Sequence, residues 1–110
     1  MGVRSILLPM YLIQLLLPLH DNKKQSFPIA HFHTVRTELT RRFGGVTAFL
    51  RAPATGLWEE DEGINRDDVV MFEIIAERLD KEWWRQYRVH LQQVFKQKEV
   101  LIWSTSVEKL

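Results

Sequence analysis

The sequence predicts an α+β fold in which a four-stranded antiparallel sheet carries two helices on one face. Strand and helix patterns follow the order strand, helix, strand, strand, helix, strand. Two of the strand patterns are almost continuously apolar, which is typical of strands inside a sheet. A third is interrupted by a proline, which a sheet accepts at an edge. Right-handed crossovers then give the spatial strand order 4-1-3-2, the ferredoxin-like arrangement.

The first strand and the first helix lie in the first part of the chain. Residues 11–17 form a short apolar run that ends at Pro18, as expected for a strand covered on both faces. A helix is predicted to begin near Pro28, since proline is tolerated in a first helical turn. Its apolar stripe consists of Phe32, Val35, Leu39 and Phe43. The pair Gly44-Gly45 should end this helix, because glycine readily adopts the left-handed conformation.

The second and third strands flank an acidic turn. The second is predicted over residues 46–52, is interrupted by Pro53 and resumes over residues 55–59, which places it at an edge. The third covers residues 67–76 and has the strongest strand character in the chain. Its nearly continuous apolar side chains place it inside the sheet.

The second helix and the fourth strand complete the pattern. Asp80 is a good N-cap, because its carboxylate can accept a hydrogen bond from the first helical turn. The apolar stripe that follows consists of Trp84, Tyr87, Leu91 and Val94, and core packing is the preferred interpretation of its aromatic residues. This helix should end near Gln97, and the last strand is predicted over residues 100–105. We therefore predict an unstructured leader over residues 1–9, one domain over residues 10–106 and a tail over residues 107–110.

The composition is that of a single globular domain. The chain has 110 residues, of which 45% are hydrophobic and 26% are charged, enough for one core. Its formal charge of +1 provides no overall field that would attract nucleic acid or an anionic membrane. It contains no cysteine, which excludes disulfides, thiolate catalysis and sulfur-ligated metal sites. We predict no cofactor.

The amino-terminal residues leave two interpretations of localisation. Arg4 precedes an apolar run over residues 6–19, which is similar to the start of a signal peptide. The run is too short to span a bilayer, is interrupted by Gln14 and Pro18, and is not followed by a small-residue cleavage site. We predict a cytoplasmic protein, with export through residues 1–19 as the alternative.

The helices cover only one face of the predicted sheet, and the other face is also apolar. Strand alternation sends one apolar set towards the helices: Ile13, Leu15, Leu17, Val70, Phe72 and Ile74. The opposite face carries Leu12, Leu16 and Met71, with Phe49 and Trp103 at the edges. This second face is too apolar to be left in water, so a second copy of the chain, a small ligand or the chain's own ends should cover it. A homodimer is the first choice, because symmetric dimers are the commonest oligomers.

The same face supplies the candidate ligand-binding residues. Gln14, Arg51 and Glu73 are polar and need partners if they are buried. They either pair with one another or converge on a small, mostly apolar ligand. Trp58, next to Gly56 and an acidic run, is the aromatic residue that we assign to a binding surface. The alternative to a structural dimer is therefore an enzyme or ligand-binding protein of the dimeric α+β barrel type, with catalytic residues unknown.

Metal binding, RNA binding and an adaptor role are the other functions to consider. His31 and His33 lie two residues apart on a helix, where their side chains diverge, so we predict no metal site. The third strand is acidic and aliphatic, unlike the basic, aromatic strand of RNA-recognition modules, so we predict no nucleic-acid binding. The acidic residues 59–62 leave open a role as an adaptor that binds partner proteins.

The chain resembles a family of small bacterial proteins of unknown function. The matching residues are Arg42-Phe43-Gly44-Gly45-Val46-Thr47, Gly56-Leu57-Trp58, Gly63-Ile64-Asn65-Arg66, Tyr87, Phe95, Gln97, Val100 and Leu101. The resemblance implies a ferredoxin-like domain and no particular activity. It marks Trp58 and Arg66 as residues that bind a ligand or hold the hairpin. Members often carry a lipoprotein-type leader with a cysteine, which this chain lacks, so an envelope location is not implied.

Overall fold

The computed structural model describes residues 10–51 and 69–110, except for the side chains of residues 50 and 51. The elements are β1 (Met10–Pro18), α1 (Ile29–Phe43), β2 (Thr47–Arg51), β3 (Val69–Ala76), α2 (Lys81–Val94) and β4 (Leu101–Val107). Their order is the predicted one. The predicted leader, the strand segment over residues 55–59 and the acidic turn lie outside the described residues.

The four strands form one antiparallel sheet in the order β2-β3-β1-β4. This is the predicted order 4-1-3-2 listed from the opposite edge of the sheet, so the ferredoxin-like fold is confirmed. The nearly all-apolar strands β1 and β3 lie inside the sheet and pair with each other from Tyr11 and Ala76 to Pro18 and Val69. The edge strands β2 and β4 pair with β3 and β1, respectively.

The first helix ends as the glycine pair predicts. Pro28 is the N-cap of α1 and Ile29 is its first residue, close to the predicted start. Gly44 follows the last helical residue with a φ of 88°, and its N–H donates to the Thr40 carbonyl at 2.7 Å. Only glycine adopts such a φ without steric cost, which explains why the helix ends at this residue.

The second helix begins where predicted and ends earlier. The Asp80 carboxylate accepts a hydrogen bond from the Trp83 N–H at 3.1 Å, which confirms the cap. The helix ends at Val94 instead of near Gln97, because Lys96 adopts a left-handed φ of 51°. The last strand extends to Val107, beyond the predicted end at residue 105, because Val107 pairs with Met10 of β1.

The core lies between the sheet and the two helices. Every second residue of β1 and β3 points into it, as the alternation predicts, and α1 and α2 contribute their apolar stripes. The buried cluster consists of Ile13, Leu15, Leu17, Val35, Leu39, Phe72, Ile74, Ala76, Trp84, Tyr87, Leu91, Phe95 and Val100. Within the described ranges, no helix is both long and apolar enough to cross a membrane.

Candidate functional site

The side of the sheet that faces away from the helices, here called the open face, carries the predicted site. Residues directly opposite each other in neighbouring strands share a face, so the register defines rows that cross the sheet. One row contains Phe49, Met71, Leu16 and Leu101, paired in that order across all four strands. We call it the apolar row, since it contains no polar side chain.

The open face exposes several large apolar side chains, although Met71 within the apolar row is only 5% exposed. Phe49 is 44% exposed and Leu101 is 51% exposed, at the two ends of the apolar row. Ile75 and Trp103, in other rows of the same face, are also exposed. These are four of the seven large apolar residues that are exposed in the described part of the chain. The predicted apolar character of this face is therefore confirmed.

A second row, here called the polar row, contains Thr47, Glu73, Gln14 and Trp103. The indole N–H of Trp103 donates to Gln14 Oε1 at 2.7 Å. The Gln14 amide in turn donates from Nε2 to Glu73 Oε2, also at 2.7 Å. Both ends of this amide are thus used, and one side chain on the central strand links three strands. Glu73 keeps a second carboxylate oxygen for which no donor is described.

The structure brings two of the four predicted site residues together. Gln14 and Glu73 are direct neighbours, as one of the two sequence-based alternatives required. Arg51 pairs with Val69, four residues along β3 from Glu73, so the register separates their backbones by about 13 Å. Trp58 lies outside the described residues. The candidate ligand-binding role of these four residues remains a prediction.

The sequence alone did not identify Trp103 as a site residue. It placed Trp103 only at the edge of the open face, because the partner of a residue depends on the register between strands. The available signal was alternation within β4 combined with pairing to β1. That combination places the Trp103 indole opposite Gln14, the one amide side chain of β1. An indole N–H normally finds an acceptor.

A cavity of about 350 Å³ lies beside the polar row, where the glycine pair leads into β2. The residues that line it are Leu12, Phe43, Gly45, Val46, Thr47, Glu73, Ile74 and Ile75. Among these, Glu73 alone is charged. The volume falls in the range of small-ligand sites, roughly 300–1,000 Å³. An apolar wall with one carboxylate is suited to a small organic molecule that carries a positive charge.

The histidines are not arranged as metal ligands. His31 stacks on Phe27 with ring centroids 6.0 Å apart and contacts the edge of Phe95, whereas His33 is exposed. Among the residues that the structure describes, no cluster of three His, Asp or Glu side chains is close enough to hold a metal ion.

Comparison with known proteins supports the fold and no finer identity. No protein-family model matches the chain, and no curated protein sequence matches it significantly. A solved structure, a phage SAM lyase in complex with S-methyl-5'-thioadenosine, matches with a TM-score of 0.54 and 15% sequence identity. The match covers 91% of this chain and 90% of that chain. At this identity the likeness shows a shared fold, and the family resemblance of residues 40–102 remains a prediction.

Proposed function

We propose that this protein acts as a cytoplasmic homodimer in which the open faces of two copies pack against each other. The observation that supports this most is the apolar row, which crosses all four strands without a polar side chain. A sheet with helices on one side normally presents polar residues to water on the other side. The cytoplasmic location rests on the sequence argument alone.

The size of the open face is adequate for a dimer. Four strands about 4.8 Å apart and four rows about 6.8 Å apart give a flat area of about 500 Å². Two copies would therefore bury about 1,000 Å² in total, at the lower limit for a specific interface. The half-exposed side chains of Phe49 and Leu101 increase this area, because they project from the edge strands.

Gln14 and Trp103 of the polar row are compatible with burial at such an interface. Gln14 accepts from Trp103 through Oε1, and its Nε2 donates to Glu73 and contacts Met71 Sδ at 3.5 Å, so the amide keeps its partners when it is covered. The indole N–H of Trp103, its only side-chain donor, likewise has an acceptor in Gln14. Glu73 differs, because a buried carboxylate needs a positive partner or several donors.

The mass of the protein in solution tests the dimer. Sedimentation analysis should give a dimer for the unmodified chain and a monomer for Leu101→Glu, which places a charge in the apolar row. Val89→Glu is the matched control, since Val89 on α2 is also an exposed apolar residue, at 45% against 51% for Leu101. Circular dichroism should show both variants folded. An unmodified chain that is monomeric, or equal effects of the two variants, would contradict the proposal.

A second candidate function follows from the cavity beside Glu73. In this version the dimer encloses a small organic cation whose charge meets Glu73 beside Gln14. The other two predicted site residues, Arg51 and Trp58, would contact other parts of the ligand, because the register places Arg51 four residues along β3 from Glu73. The phage SAM lyase supplies a precedent, since it shares the fold and is in complex with a small nucleoside. SAM itself is a sulfonium cation, which suits a carboxylate in apolar surroundings. We assign no reaction to this site.

Calorimetric titration with SAM and with the neutral S-methyl-5'-thioadenosine tests this second function. SAM should bind about tenfold more tightly than the neutral compound, equivalent to about 1.4 kcal/mol. Glu73→Gln should remove this preference, whereas Glu77→Gln, just beyond the end of β3, should keep it. Failure of both compounds to bind would contradict a SAM-type occupant and leave the dimer untouched, because sedimentation tests the dimer separately.

A further inference from the structure

We propose that the outer edge of β4 binds an extended acidic segment of a partner protein, which adds a fifth strand to the sheet. This proposal does not depend on the open face, because the edge and the face are different surfaces of β4. Three observations support it: the composition of the edge, the cleft beside it and the charges around that cleft.

The edge strand β4 lacks the features that usually protect an edge. Its sequence, Leu-Ile-Trp-Ser-Thr-Ser-Val, contains no charged residue, proline or glycine. It pairs with β1 along its whole length, and no strand in the described ranges pairs with its other side. Natural edges are commonly blocked by charges, prolines or bulges, and β2 conforms, since Arg51 ends it and Pro53 follows. An unblocked edge of this length is a template for strand addition.

A cleft of about 290 Å³ runs between α2 and β4 on the helix side of the sheet. Ile13, Trp84 and Ile102 supply apolar lining, and the small side chain of Ser104 leaves room at the edge. The buried indole N–H of Trp84 has no acceptor among the described residues. Buried donors normally have a partner, so this N–H is an exception within the core, and the apolar lining is what the cleft offers to an occupant.

The rim of the cleft is basic. Lys81, Arg85 and Arg88 all line it, and their spacing places them on one side of α2. Arg85 pairs with Glu82, whereas neither Lys81 nor Arg88 forms an ion pair with a described residue. An acidic partner would supply the counter-charges that Lys81 and Arg88 lack among the described residues.

These features define the pattern of the incoming strand. Its alternate side chains face the cleft, so an acidic, an apolar and a second acidic residue should occupy every other position. The two acidic positions then lie about 13 Å apart along the strand. Lys81 and Arg88 are separated by about 10.5 Å along the helix axis. Their long side chains can span the difference, while the apolar residue enters the cleft above Ile102.

The blocked heptapeptide TETITET, which has this pattern, provides the test by calorimetry. We expect it to bind the unmodified protein, and we expect Arg88→Glu to weaken binding at least about tenfold. Arg36→Glu, an exposed charge reversal on α1, is the matched control and should have no effect. The lysine peptide TKTITKT should bind Arg88→Glu better than it binds the unmodified protein.

Strand addition is distinguished from simple charge attraction by two further measurements. A TETITET peptide that carries N-methyl groups on the alternate amides that face β4 cannot complete a strand ladder and should not bind. Hydrogen exchange of the backbone amides of β4 should slow when TETITET binds. The proposal is wrong if TETITET does not bind, if its N-methylated form binds equally well, or if Arg88→Glu and Arg36→Glu behave alike.

Discussion

The hydroxyl of Tyr87 on α2 donates a hydrogen bond to Glu38 Oε1 on α1 at 2.7 Å. This contact connects the two helices at the margin of the core, where Tyr87 is only 8% exposed. Burial, and then the neighbouring Glu38 carboxylate, raise the pKa of the Tyr87 phenol far above its ordinary value of 10.0. Both causes disfavour the phenolate.

The raised pKa of Tyr87 predicts a loss of stability in alkali. Above pH 10.0 the unfolded chain releases the phenolic proton, whereas the folded chain retains it. The free energy of unfolding should therefore fall by up to about 1.4 kcal/mol for each pH unit above that value. Urea unfolding across this range should show a shallower fall for Tyr87→Phe. Glu38→Gln should lie between the two, and identical slopes for all three proteins would contradict the assignment.

Gly44 and Gly45 should differ sharply in their tolerance of a side chain. Gly44→Ala forces a Cβ into the left-handed conformation at φ 88° and should destabilise the protein by about 1–2 kcal/mol. The backbone of Gly45 is not in the left-handed conformation, and a Cβ added there would have no atom within 4 Å. Gly45→Ala should therefore be nearly neutral, or slightly stabilising because the unfolded chain loses freedom. Thermal unfolding of the two variants provides the comparison, and equal shifts would refute this account of the helix end.

Asp80 should act mainly as a helix cap. Its Oδ1 accepts from the Trp83 N–H at 3.1 Å, and its Oδ2 lies 3.3 Å from Arg42 Nη2. Asp80→Ala removes both contacts and should cost about 1 kcal/mol. Asp80→Asn retains a capping oxygen and loses only the charge of an exposed ion pair. It should therefore lower the free energy of unfolding by only a few tenths of a kcal/mol. Chemical denaturation should rank the two in this order; the reverse ranking would mean that the ion pair dominates.

The polar row should lose more stability through Gln14 than through Trp103. Gln14→Leu removes the donor to the Glu73 carboxylate, a bond to a charged group that contributes about 1.5–3 kcal/mol, and also removes the acceptor of the Trp103 indole. Trp103→Phe removes a bond between neutral groups, which contributes about 0.5–1.5 kcal/mol. Urea unfolding of both variants at one protein concentration tests the ranking. Because Gln14→Leu loses both bonds and Trp103→Phe only one, equal losses would mean that the bond from Gln14 to Glu73 contributes nothing to stability.

Much of the fold could be predicted because it depends on local patterns. The continuous apolar character of β1 and β3 identified the inner strands, and alternation separated Ile13 from Leu12. Gly44 and Asp80 marked helix ends through conformational and capping preferences that operate within one turn. The early end of α2 was missed because the left-handed φ of Lys96 is unusual for a residue with a side chain.

The site was less predictable because it depends on register and on packing between elements. The alternation placed Gln14 and Glu73 on one face, but no single strand encodes that Trp103 lies opposite Gln14 and Arg51 opposite Val69. The basic cleft was missed for a related reason. In the sequence, Lys81, Arg85 and Arg88 are typical of the solvated side of a helix, and only the packing of α2 beside β4 brings them around a cleft.

The hydrogen bonds of the polar row all run in one direction, from Trp103 through Gln14 to Glu73. If the charge of Glu73 is neutralised by a bound cation, its attraction for the Gln14 amide weakens, and the bond to the indole N–H changes with it. The indole proton of Trp103 is therefore a built-in spectroscopic reporter. Its resonance in a nuclear magnetic resonance spectrum would register events at a carboxylate two strands away, without any added label.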